Sequence, residues 1–121
     1  MTGHQLIDHK GIQICYMDFS NLKSIQVIDE IIQNSKIYIQ SQPTSSVYCL
    51  TNLENIHFNS EVNKMFTEFV KGNKEHVKSS AICGLNGLTR IMFNGLMKVT
   101  GRDLRSFNTE EDAKDFLASQ K

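Results

Sequence analysis

Tryptophan is absent from this chain of 121 residues, proline occurs once, and cysteine occurs three times. Cys15, Cys49 and Cys83 are an odd set with no C-x-x-C pair, which speaks against a disulfide framework, a zinc site or a thioredoxin-like motif. Each lies in an apolar, strand-like run, so the three read as small reduced core residues of a cytoplasmic protein. Neither sign of charge is in excess: 13 basic residues face 13 acidic ones, with a pI near 6.9. Non-specific nucleic-acid binding needs a basic surface that displaces counterions, and no nucleic-acid partner is expected. The local basic cluster Arg90, Lys98, Arg102 and Arg105 reads as solvated helix ends. No apolar run approaches the roughly 20 residues that span a bilayer. The start, Met1-Thr2-Gly3-His4-Gln5, lacks the basic and apolar regions of a secretory signal. His4, His9, His57 and His76 show no metal spacing, and no metal or cofactor is expected. Without repeats, low-complexity tracts or linkers, residues 1–121 read as one domain.

What the chain does have is an alternation of strand and helix signals. Gln5-Leu6-Ile7 and Gly11 to Met17 read as two strands joined by a turn at Asp8-His9-Lys10-Gly11. In the second strand, Ile12, Ile14 and Tyr16 face one way, and Gln13, Cys15 and Met17 the other. Asp18-Phe19-Ser20-Asn21 offers capping side chains for a helix with its stripe at Leu22, Ile25, Ile28, Ile31, Ile32 and Ile39. That helix should end before Gln42-Pro43. Val47 to Thr51 is a nearly continuous apolar run, as in a central strand covered on both faces. A second helix is expected from Asn59 or Ser60 to a stop at Gly72-Asn73, and a further central strand over Val77–Cys83. A third helix should bury Leu88, Ile91, Met92, Leu96 and Val99 and end at Gly101. A short strand, Leu104 to Phe107, precedes a last helix opened by a Thr109/Asp112 capping box, with Ala113, Phe116 and Leu117 buried. The fold class is therefore α/β, a mixed sheet of about five strands with about four helices in the order β-β-α-β-α-β-α-β-α.

Three places carry candidate chemistry. Asn59 and Ser60 stand where a helix opens, as an N-cap pair or as a partner-recognition or phosphorylation point, with Glu61 beside them. His57 lies three residues before Ser60, and a Ser–His pair is the minimum for hydroxyl nucleophile chemistry. Gly84-Leu85-Asn86-Gly87 is a strand-to-helix turn. Its N–H groups would suit an anion or a partner, although it lacks the lysine and hydroxyl of a P-loop, and Asn86 can serve as the cap. Met92, Phe93, Leu96 and Met97, with Val99, make the third helix apolar on more than one side. Such an excess is core, or it marks an apolar-ligand pocket or a homodimer face.

The order of elements and the text of three segments resemble the STAS domains of anti-sigma-factor antagonists (SpoIIAA-like proteins). The segments are Val47 to Ser60, Val77 to Asn94, and Gly101-Arg102 with Phe107 to Ala113. The last two look closest to the SpoIIAA-like branch called STAS/SEC14-domain proteins. The resemblance implies a non-enzymatic module that binds a regulatory protein through Asn52–Val62 and Gly84–Gly87, at the carboxyl ends of strands. It places Ser60 where the antagonists carry their phosphorylated serine. The text departs there: Phe58-Asn59-Ser60-Glu61-Val62 lacks the family's aspartate, second hydroxyl and glycine, and Glu61 would repel a phosphate. The same fold class includes CRAL-TRIO (SEC14-like) lipid-binding domains. A second reading is therefore a carrier of a small apolar or lipid ligand between the sheet and the third helix. An enzyme using His57 and Ser60 is the third.

Overall fold

The computed structural model describes residues 3–121. Its chain begins with a hairpin, β1 (Gly3–His9) and β2 (Ile12–Asp18), paired antiparallel from Gly3↔Asp18 to His9↔Ile12. The connecting turn is only Lys10-Gly11, with φ of 48° and 88°. Positive φ at both central residues is the type I′ geometry whose twist matches that of paired strands.

From there strands and helices alternate: α1 (Ile25–Gln40), β3 (Val47–Asn52), α2 (Ser60–Asn73), β4 (Val77–Cys83), α3 (Gly87–Thr100), β5 (Arg105–Phe107) and α4 (Glu110–Ser119). The five strands lie in the order β1-β2-β3-β4-β5, and every pair after the first is parallel. Each parallel step advances the sheet in the same direction. Crossovers of one hand then leave α1, α2 and α3 on one face, and α4 takes the other.

The alternation in β2 carries through to two cores. Cys15 and Met17 join the layer under α1–α3, where Ile28, Ile32, Val62, Phe66, Phe93 and Leu96 are buried. Ile12, Ile14 and Tyr16 join the layer under α4, with Leu50, Ala81, Cys83, Ala113 and Leu117. Phe19, Phe58, Phe66 and Phe93 form an aromatic cluster in the first layer, with linked ring centroids 5.0 to 6.1 Å apart. Such pairs contribute about 0.5–1.5 kcal/mol beyond their buried area.

Several helix boundaries and faces differ from expectation. The cap of α1 is Ser24, whose Oγ accepts the Val27 N–H, and not the Asp18–Asn21 segment. Asp18 Oδ1 accepts the N–H of Ser20 instead, and Asn21 takes φ 61°, so the segment is a turn. Leu22 therefore packs on the core from outside the helix. Gly72 lies within α2, which ends one residue later at Asn73. Of the expected capping box on α4, the half made by Thr109 accepting the Asp112 N–H is formed, and Phe116 is only half-buried.

The largest difference is the rotation of α3. It buries Thr89, Phe93, Leu96 and Thr100, while Leu88, Ile91 and Val99 are 58%, 71% and 76% exposed. The helix carries two apolar stripes, and the one with the bulky Phe93 occupies the core. Its two threonines bury at little cost because their hydroxyls are satisfied locally. Thr100 donates to the Leu96 carbonyl at 2.8 Å, and Thr89 Oγ1 accepts the Asn86 N–H at 2.9 Å.

Candidate functional site

Both segments singled out as a partner surface meet at the carboxyl ends of β3 and β4. The loop after β3 is held on each side: Leu53 N–H donates to the Cys83 carbonyl, Asn21 N–H to the Glu54 carbonyl, and His57 N–H to the Leu22 carbonyl. Gly84, with φ 83°, sits against this loop. A Cβ there would fall 2.6 Å from the Glu54 backbone nitrogen, so only glycine permits the approach. The loop Asn52–Phe58 and the turn Gly84–Gly87 are thereby one surface.

Ser60 is exposed at the first position of α2. Asn59 alone makes the cap: its Oδ1 accepts the Val62 N–H at 2.9 Å. Its Nδ2 lies 3.3 Å from His57 Nε2, so His57 is engaged with Asn59 and forms no Ser–His pair with Ser60. Glu61 is exposed in the same first turn.

The turn before α3 is a capping box. Asn86 Oδ1 accepts the Thr89 N–H at 3.0 Å, and Thr89 Oγ1 accepts the Asn86 N–H. Two of the N–H groups an anion would need are thus already used.

A cleft of about 470 Å³ opens on this rim between Asn52, Glu54, Cys83, Gly84, Leu85, Asn108, Thr109 and Glu110. Two of its lining residues, Asn52 and Glu110, belong to a polar chain that the local sequence did not signal. Asn52 Nδ2 donates to the Tyr16 hydroxyl at 3.3 Å, Tyr16 donates to Glu110, and Lys114 Nζ lies 3.1 Å from Glu110. Burial and then the bond to Glu110 push the Tyr16 hydroxyl up. Burial works against ionising Glu110, but the Tyr16 hydroxyl and Lys114 outweigh it and hold the carboxyl below its ordinary value. Cys83, buried at the cleft floor, is pushed up to about 11 by burial and then by Glu110, Glu54 and Asp18. It is a protonated thiol and a poor nucleophile. The one sequence hint of this polar chain is the run Glu110-Glu111-Asp112 in the first turn of α4. It reads there as complementing the helix dipole.

The four residues considered for an apolar-ligand or dimer face lie mostly against the core. Phe93 and Leu96 are core, Met92 is half-buried, and Met97 Sδ accepts the Leu104 N–H at 3.3 Å. Behind them, between the sheet and helices α2 and α3, a cavity of about 30 Å³ is lined by Phe66, Phe69, Asn73, Ser80, Phe93 and Arg102 among others. Ligand pockets are commonly about 300–1,000 Å³. Arg102 crosses this space to donate to the Val70 carbonyl at 2.6 Å and the Ser80 hydroxyl at 3.3 Å. It thereby closes the C-terminal turn of α2, and burial lowers its pKa.

Among the described residues, no group of three or more His, Cys, Asp or Glu is placed to hold a metal ion. Among those residues, too, no helix is long and apolar enough to cross a membrane.

A five-stranded mixed sheet with four helices in β-β-α-β-α-β-α-β-α order is a STAS-like (SpoIIAA-like) fold. The chain is similar to the solved structure of an anti-sigma-factor antagonist (STAS) domain protein from Planctomyces limnophilus. Its TM-score is 0.61 and its identity 15%, and the match covers 100% of this chain and 99% of that one. At that identity the likeness concerns the fold. No family model matches the sequence, and no curated protein does.

Proposed function

We propose that this chain is a one-domain, non-enzymatic interaction module of the cytoplasm that binds a regulatory protein through Asn52–Val62 and Gly84–Gly87. The observation that carries the reading is the contact between Gly84 and Glu54, which makes one rigid platform of two loops. Binding by a preformed surface avoids the cost of ordering loops on association. Ser60 stands free on that platform with its cap function taken by Asn59, so a group added there changes the surface without undoing the helix. Its neighbour Glu61 weakens the benefit of a phosphate at the helix start. Steric and charge change at the rim, more than helix stabilisation, is then the mode of control.

The test is affinity capture from the native lysate with wild-type, Ser60→Glu and Glu54→Lys baits, followed by binding of the purified captured protein. A specific partner whose affinity falls about tenfold or more with both substitutions is the expected result. Equal binding by all three baits would overturn the reading.

A further inference from the structure

We infer that the outer edge of β1 pairs with the same edge of a second copy of this chain, antiparallel about Leu6, and joins two five-stranded sheets into one. β1 is the terminal strand of the sheet. In a two-residue type I′ hairpin the residues flanking the turn, here His9 and Ile12, exchange both backbone bonds. Counting back by two, Ile7 and Gln5 also turn their N–H and C=O groups to β2. Asp8, Leu6 and His4 then turn theirs outward, and what satisfies such a row is another strand. The usual guards of an edge are missing. β1 runs for seven residues in unbroken register, with no lysine or proline. The opposite edge strand, β5, has three residues and opens on Arg105.

The side chains make the strand its own complement. Pairing about a two-fold axis at Leu6 sets Leu6 on Leu6, Gln5 on Ile7, and His4 on Asp8 of the second copy, the last twice. His4, Leu6 and Asp8 share one face of β1, the α1 face. His4 stacks near Tyr38, and its Nε2 is buried without a hydrogen-bond partner. Asp8 is exposed and makes no ion pair among the described residues, since His9 and Lys10 of the same hairpin both turn to Asp115. Residues directly opposed across two strands bring their Cβ atoms to about 4.5–5.5 Å, close enough for a carboxylate to meet an imidazole. Among the described residues the large exposed apolar side chains outside α3 are Leu6, Val27 and Ile37. Val27 and Asn34 line a cleft with His4, and Ile37 lies one turn beyond Asn34, so the three border this edge. β2 separates the edge from β3, so the pairing leaves the rim open and is independent of the proposed function.

The test is sedimentation velocity over a concentration series, with thermal melts to confirm folding. Wild type should show a monomer–dimer exchange that appears at high concentration, since one strand pair with its flanks is a small interface. Asp8→Lys, His4→Glu and Leu6→Lys should each weaken the dimer about tenfold or more. An equimolar mixture of Asp8→Lys and His4→Glu should pair again, because one contact then sets the introduced glutamate on the introduced lysine and the other keeps the native pair. In wild type the amides of His4, Leu6 and Asp8 should gain hydrogen-exchange protection as concentration rises, while those of Gln5 and Ile7, already bonded to β2, should not change. A monomer at every concentration, a Leu6→Lys dimer as tight as wild type, a mixture no tighter than either variant, or protection that ignores the alternation would overturn the inference. So would a monomeric wild type whose edge amides are protected only on adding another protein, which gives the edge to that protein's strand.

Discussion

Asn59 holds the N–H of Val62 through its Oδ1 and faces the ring of His57 through its Nδ2, and the neighbouring Ser60 is left exposed. The capping work and the accessible hydroxyl therefore belong to different residues. Asn59→Ala should destabilise the fold by about 1 kcal/mol. Ser60→Ala should lie within about 0.5 kcal/mol of wild type. Urea denaturation of the two variants checks this, and an equal loss for both would make Ser60 part of the cap.

Gly84→Ala should cost more. The residue sits at φ 83°, and its Cβ would meet the Glu54 backbone, which has no flexible end to move aside. About 2–3 kcal/mol is expected from strain of this kind, read as a lower urea midpoint at unchanged slope. Because the clash falls between the two loops, rim-dependent partner binding should weaken as well.

The rotation of α3 can be tested through stability alone. Phe93→Ala removes a ring packed against Phe58 and Phe66 and should cost about 3–5 kcal/mol. Ile91→Ser on the opposite side should change stability by no more than about 0.5 kcal/mol. Similar losses at both positions would contradict the buried stripe described above.

Acid should weaken the attachment of α4 through Glu110. Its folded pKa lies below the ordinary value of 4.5, through the Tyr16 hydroxyl and Lys114. A group with a depressed folded pKa adds stability above its unfolded pKa, and that contribution fades as pH falls through the folded pKa. Wild type should therefore lose stability relative to Glu110→Gln as pH drops below about 4.5, with the difference constant at neutral pH. Thermal melts across that range measure it, and parallel curves for the two proteins would count against the assignment.

All three thiols should be silent in the native state. Cys15, Cys49 and Cys83 are free and buried, and burial followed by three nearby carboxylates keeps Cys83 protonated. A chromogenic disulfide reagent at neutral pH should titrate none rapidly in buffer and all three in urea. Rapid reaction of one thiol in buffer would mark it as accessible.

Much of the framework was legible because it rests on local signals. The period-two pattern from Ile12 to Met17 shows both faces apolar, and β2 does pack on both sides. Asn86 and Gly101 are where α3 starts and stops, since one suits a cap and the other a left-handed residue at φ 71°. The start of α1 is not legible, because Asp18–Asn21 and Ser24 are equally suitable caps by residue type. Backbone bonds from Phe19 to Asn52 at the end of β3 and from Asn21 to Glu54 hold the earlier segment as a turn.

The candidate site was legible only in part. Ser60, Asn59 and the Gly84–Gly87 turn stand out by residue type and position. Tyr16 and Glu110 do not, being 94 residues apart in the chain and joined only when α4 docks on the second face. The exposed stripe on α3 was hidden for another reason. Its periodicity announces an amphipathic helix with two apolar stripes, and a one-dimensional pattern does not say which stripe turns inward.

Taken alone, the order of amino acids determined the succession of strands and helices, the N-terminal caps of α3 and α4, and the doubly covered central strands, because these depend on neighbours a few residues away. Tertiary structure decided which side of α3 meets the sheet, that Gly84 locks against Glu54, and that His57 attends Asn59 and not Ser60. Those outcomes depend on shape and bonding between segments brought together in space. Phe93 packs its ring against Phe58 and Phe66, which lie far from it in the chain.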